Sequence, residues 1–217
     1  MVDIFDEVDE DLRADRARQL LTRYAPALIG AAVLVVALAG GWRGWQWYDA
    51  KRTGEIAAGY IAAMKAAEGK SDADRHAAAA DFAAVAGKAG PGYRTLALLR
   101  EAGLKAETGD LSGASEIWNQ VAADRAADPL LRDLATLQWG LHQLDTADPA
   151  TVEARLTPLS IAPNPWHALA SEALAMLALR QGKTDDARAT LKALSQDTSA
   201  PQGVRNRAEG LLERLGH

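Results

Sequence analysis

The feature that most constrains this chain is an uncharged apolar run near its N-terminus. Ala25 to Trp42, APALIGAAVLVVALAGGW, holds no charged side chain over 18 residues. As a helix with a rise of about 1.5 Å per residue it spans roughly 27 Å, close to the hydrocarbon thickness of a bilayer. Arg23 and Arg43 bracket the run. Tyr24 on one side, and Trp42, Trp45, Trp47 and Tyr48 on the other, stand where interfacial aromatic belts stand. The run therefore predicts one transmembrane helix rather than a buried core helix. A cleaved signal peptide is the competing reading, because Ala37-Leu38-Ala39 has the small-x-small form of a cleavage site. Its n-region would be over 20 residues long and rich in acids, which is the wrong composition.

Charge sets the orientation. Arg13, Arg16, Arg18 and Arg23 precede the run, whereas Arg43, Lys51 and Arg52 follow it. The positive-inside bias favours a cytoplasmic N-terminus, which places the larger C-terminal part across the membrane. Net charge is -5, and its excess lies before Tyr24, where seven acids face four arginines. The remainder carries 20 basic and 22 acidic residues, so no electrostatic footprint for nucleic acid exists. Cysteine is absent, which excludes a disulfide scaffold, a thiolate zinc site and a cysteine nucleophile together.

Beyond the run, DAKRTGEIAAGYIAAMKAA from Asp49 has no proline and carries Ile56, Tyr60, Ile61 and Met64 at helical spacing. A helical stalk is predicted there. After Gly69 the helix-start signals become regular. Asp128-Pro129, Asp148-Pro149 and Asn164-Pro165 each place a capping side chain directly before proline. Ser71 with Asp74 has the form of a capping box, Gly90-Pro91 of a stop followed by a start, and Ser199-Ala200-Pro201 of a looser start. These signals predict helices at about 71–87, 91–108, 111–125, 129–145, 149–157, 165–181, 184–196 and 201–215.

Apolar residues at helical spacing mark packing faces: Leu96, Leu99 and Leu104; Leu130, Leu134, Leu137, Leu141 and Leu144; Leu169, Leu174 and Leu177. No short amphipathic helix buries such a face alone, so neighbours must stack. Two turns repeat in kind, around Gly109 and Gly182. Ala102 and Ala175 lie seven before the glycine, Ala114 and Ala187 five after it, and Trp118 and Leu191 nine after it. Small residues for close helix contact and a large one to fill the gap between hairpins are the grammar of a tetratricopeptide-like repeat. Gly109 is expected in a left-handed conformation, with Asp110 capping the next helix. The glycines are 73 residues apart, about two periods of ~34, so one degenerate repeat from residue 129 to about 160 lies between them.

The fold class expected is all-α: one N-terminal transmembrane helix followed by a tetratricopeptide-like solenoid of antiparallel helix pairs. The divisions are 1–23, a short cytoplasmic tail; 24–48, the transmembrane helix with its aromatic belt; 49–69, the helical stalk; and 70–217, the repeat domain.

In order along the chain, the tail DIFDEVDEDLRADRARQLLTRY, the anchor, GYRTLALLREAGLKAETGD from Gly92 and SEALAMLALRQGKTDDARATL from Ser171 resemble one family. It is the ancillary subunit of the bacterial Sec translocon, and the resemblance covers nearly the full chain. It departs at the proline-broken segment Pro158 to Pro165. The resemblance implies a single-pass inner-membrane protein, N-terminus cytoplasmic, whose periplasmic domain handles proteins emerging from the translocon beside periplasmic chaperones. The partners implied are translocon subunits, those chaperones or their clients. A structural adaptor of another envelope complex, in division or secretion, is the alternative.

Chemistry has little to stand on. His76, His142, His167 and His217 are isolated, without HExxH spacing. Gly87-Lys88 lacks both the upstream glycine and the following Ser or Thr of a phosphate loop. Asp185-Asp186 falls at a helix start, where acids favour the macrodipole. No enzyme, cofactor or metal is expected. Gly40 and Gly44 form a GxxxG that would let two anchors pack as a homodimer. Trp118 follows the repeat pattern and is assigned to the core; Trp166, beside a helix start, is the candidate partner contact.

Overall fold

A computed structural model describes the backbone of residues 4–69 and 71–216 and the side chains of 29–31, 33–69 and 71–216. All regular structure among the described residues is helical. Helix α1 runs Ile4–Ala66, and the chain divides into two compact units between Gly54 and Glu55.

In the first unit every described side chain is exposed. Ile29, Val33, Leu34, Val35, Val36 and Leu38 are each 60–71% exposed. Four consecutive positions, Val33 to Val36, turn through about a full circle of helix at 3.6 residues per turn, so this apolar surface has no single face. Trp42, Trp45, Trp47 and Tyr48 are as open, with Trp42 and Trp45 centroids 5.9 Å apart and Lys51 Nζ 5.8 Å from the Trp47 ring. Among the described residues no helix is long and apolar enough to cross a membrane. The span expected from Ala25 to Trp42 includes 25–28 and 32, whose side chains lie outside the described residues, as do those of Tyr24 and the acidic tail.

The second unit is a stack of hairpins. The end of α1, from Glu55, belongs to it: Ala63 is buried, and Tyr60 and Met64 pack with Phe82 of α2 (Asp72–Lys88). Next come α3 (Pro91–Glu107) with α4 (Leu111–Ala123), α5 (Pro129–Gln143) with α6 (Pro149–Leu156), and α7 (His167–Arg180) with α8 (Thr184–Gln196); α9 (Gln202–Leu215) closes the array. Helices α3, α5 and α7 begin at steps of 38 residues. Successive helices pack on one another along the chain, the pattern of a solenoid. Three hydrophobic clusters, centred on Phe82, on Trp118 with Leu156, and on Leu191, succeed one another through the stack.

Local chemistry accounts for the helix starts. Ser71 and Asp74 form a reciprocal capping box. The carboxylate of Asp110 accepts from Gly113 N at 2.9 Å, that of Asp128 from Leu130 N at 2.8 Å, and that of Asp148 from Thr151 N at 3.0 Å. Asn164 behaves differently. Its Oδ1 accepts from Trp166 N, its Nδ2 donates to Asp133 Oδ2 of α5 at 2.8 Å, and α7 begins at His167 rather than at Pro165. The asparagine is used to tie a loop to the preceding hairpin, and the helix starts after that turn. The helix expected over 149–157 is α6 followed by a short 3-10 helix, Thr157–Ser160.

The two glycine turns match bond for bond. Gly109 has φ 90° and Gly182 φ 74°. Gly109 N donates to Ala106 O and Asp110 N to Lys105 O; Gly182 N donates to Leu179 O and Lys183 N to Ala178 O. Both close a helix through a left-handed residue and a six-to-one bond. Ala102, Ala175, Ala114, Ala187, Trp118 and Leu191 are all at most 1% exposed.

Polar clamps join neighbouring repeats. Arg155 donates to Asn119 Oδ1 at 2.7 Å and lies 3.9 Å over the Trp139 ring. Arg180 donates to the carbonyls of Leu144 and Ala147, and Arg207 makes a fork of two 2.6 Å bonds to the buried Glu172. Each clamp bridges 33 to 36 residues, about one repeat.

At both turns a Cβ would meet no atom within 4 Å, so a substitution there reads backbone strain alone. Gly109→Val and Gly182→Val should each cost about 1 to 2 kcal/mol. Urea melts followed by helical circular dichroism measure this, and a neutral result at either site would break the equivalence of the two turns. A second expectation concerns acid. Hydrogen bonds from Ser71, Lys105, Thr151 and Ser199 hold the carboxyls of Asp74, Asp110, Asp148 and Asp197 below their usual range. A carboxyl lowered in the folded state contributes stability that is present above its unfolded value, near 3.9, and lost as pH falls through the folded one. The carboxyl contribution to the urea midpoint should be flat from pH 7 to about 5 and be lost below about 4, on top of a shallower decline below about 6.5 from His142, whose pKa burial lowers in the folded state. Asp110→Asn with Asp148→Asn should shrink the acid fall; an unchanged fall would assign it to other groups.

Candidate functional site

The helices at the end of α1, α3 and α5 each pack one face on a neighbour and leave another free. Residues at steps of three and four on them face one space, some of them also packed on the core: Tyr60, Met64 and Ala67 on α1 and just beyond it; Leu96, Leu99, Gly103 and Glu107 on α3; Leu131, Leu134, Gln138 and His142 on α5. Together they line a groove of about 760 Å³ with Phe82 and Trp118 at its floor. Leu96 and Leu130, expected as packing residues, are 38% and 41% exposed, because helical spacing alone does not separate the face turned to a partner helix from the face left free.

The groove presents apolar and polar groups side by side, and its polar groups are distinct in state. Glu107 is engaged by Arg75 Nε at 3.6 Å, and Arg75 also binds Asp72 at 2.8 Å. The His142 ring stacks on Trp118 at 4.9 Å and 19°, and its partial burial pushes its pKa down, so the neutral imidazole is favoured. Arg100 and Gln138 reach the groove without a side-chain partner among the described residues. Gly103 has open space where a side chain would stand. This arrangement can hold an apolar polypeptide segment and offers it a few polar contacts.

The residues singled out from sequence are dispersed. Trp42, Arg43, Trp45, Trp47 and Tyr48 lie exposed in the first unit, and Tyr24 lies outside the described side chains. At Gly40 and Gly44 a Cβ would meet nothing within 4 Å. Gly109, Asp110 and Gly182 form hairpin turns. Trp166 is half-buried, packs on the central core and donates from Nε1 to Leu130 O at 3.1 Å, a contact within the chain. His76 bonds to Asp72 O at 2.7 Å, and His167 lies 4.0 Å from Asp197. Among the described residues no three His, Cys, Asp or Glu side chains gather as metal ligands. Arg100, Gly103 and Gln138 were not singled out; their shared spacing with Leu96, Leu99 and Leu134 was the available signal.

The sequence pattern of one family, described as tetratricopeptide repeat-like domain, matches residues 18–213. No curated protein and no solved structure matches the chain. With the hairpin array, the paired glycine turns and a family match over most of its length, the chain belongs to the tetratricopeptide repeat-like domain family, whose architecture is that of a protein–protein interaction module.

Proposed function

We infer that this chain is a membrane-anchored interaction module, an ancillary subunit of the Sec translocon whose repeat domain faces the periplasm. There it receives segments of translocated proteins beside periplasmic chaperones. The observation that carries the anchor is the sleeve of exposed valine, leucine and isoleucine around α1 from Ile29 to Leu38. A helix apolar on every side is unfavourable in water and at home among lipid tails. The exposed tryptophans and tyrosine that follow also point in several directions around the helix, which suits a ring at the lipid headgroups better than one docking face. The family match begins at residue 18 and so includes this segment. For the repeat domain, the support is the groove across three helices, which offers apolar side chains such as Leu96, Leu99 and Leu134 beside polar ones and is open enough for an unfolded segment.

Topology and partners test the proposal separately. A reporter active only outside the cytoplasm should be on when fused after His217 and off when fused at residue 20; the reverse pattern would end the periplasmic reading. Affinity capture from detergent-solubilised membranes, read by mass spectrometry, should recover translocon subunits or periplasmic chaperones. Recovery of division or secretion proteins without them would overturn the translocon assignment.

A further inference from the structure

The groove presents one strong cation to whatever lies in it. Arg100 stands on α3 among Leu96, Leu99, Gly103 and Leu104, and its guanidinium has no hydrogen-bond or ion-pair partner among the described residues. The other ionisable groups of the lining are placed differently. Glu107 is already engaged by Arg75. Glu68 lies beyond the last residue of α1 and is solvent-exposed, so water and salt weaken its reach. His142 is turned onto Trp118 and favours its neutral form. Arginine is enriched at the energetic centres of interfaces and glutamate depleted, because a planar guanidinium forms paired bonds to a carboxylate and gives up its weak hydration cheaply.

We propose that the groove's occupant is an apolar polypeptide segment carrying one internal aspartate or glutamate, whose carboxylate pairs with Arg100 while its apolar neighbours cover Leu99, Leu134 and Met64. This deepens the reading of the groove as a docking surface and rests on it. The pairing is charge-assisted and, because Arg100 is solvent-exposed, of modest strength.

Three dye-labelled peptides of about twelve residues test this, long enough to cross three helices packed about 8–10 Å apart. They share one Leu/Val/Ala sequence, are amidated at the C-terminus to remove that carboxylate, and differ only in a central Glu, Gln or Lys. Fluorescence anisotropy with the purified full-length chain should rank them Glu, Gln, Lys, with about a fivefold gain for Glu over Gln, as a partly exposed ion pair provides. Arg100→Glu should invert the order, and since Arg100 is exposed the variant should melt as the parent does. Gly103→Trp, which fills open space, should abolish binding of all three. Equal affinities for the three peptides that are still lost in Gly103→Trp would overturn the role of Arg100 and leave the groove standing. No binding by any peptide would overturn both.

Discussion

The second unit depends on alanine contacts that bring paired helices close. Ala102, Ala114, Ala135, Ala173 and Ala187 are fully buried, and each presents only a methyl group to its neighbour. Small residues at the crossing allow axes to approach to the near end of the usual range of about 8–10 Å. Around these contacts the larger side chains Trp118, Leu137, Leu156 and Leu191 are fully buried and complete the core clusters. Gly140 carries a related constraint: a Cβ there would stand 2.6 Å from Leu156 Cδ2, so a side chain at 140 would force the buried Leu156 of α6 to shift.

Given hairpins of that thickness, the polar clamps set how one repeat sits on the next. Arg155, Arg180 and Arg207 each reach back about one repeat, two of them to a side-chain oxygen and one to free carbonyls near the end of α5. Such bonds add little of their own where water is near, but they choose among the orientations that an alanine-rich contact leaves open. Trp166 acts in the same way. Its indole packs on the central core and bonds to Leu130 O, which ties the long loop before α7 to α5. The groove is a consequence of this stacking, since it lies along the faces that the hairpin contacts do not use.

Much of the array could be read from residues. Caps at Ser71, Asp110, Asp128 and Asp148 are local devices, satisfied within three residues of the chain, and so they are visible in any sequence. The glycine turns are local too, because a positive φ is chosen by the absence of a Cβ and not by distant contacts. Reading failed where distant parts decide. Asn164 does accept from Trp166 N, as a cap would, but α7 begins two residues later than expected, at His167, and the asparagine amide ties the loop to Asp133, 31 residues earlier. Leu96 and Leu104 share a helix and a spacing, but one is open to the groove and the other buried.

The sequence by itself determined helix type, most helix limits, the two equivalent turns and the repeat family, because each depends on side chains and backbone within one or two turns of one another. The uncharged run from Ala25 to Trp42 is likewise a local feature, and the membrane span expected from it is part of the proposed function. Only the tertiary structure decided that Glu55 to Ala66 joins the hairpin array, that α1, α3 and α5 line one groove, and that Arg100 and Gln138 reach it without a side-chain partner among the described residues. Those facts depend on which helices become neighbours. Helix spacing repeats alike on every face, so it names the residues that can meet another surface and leaves the identity of that surface to the packing.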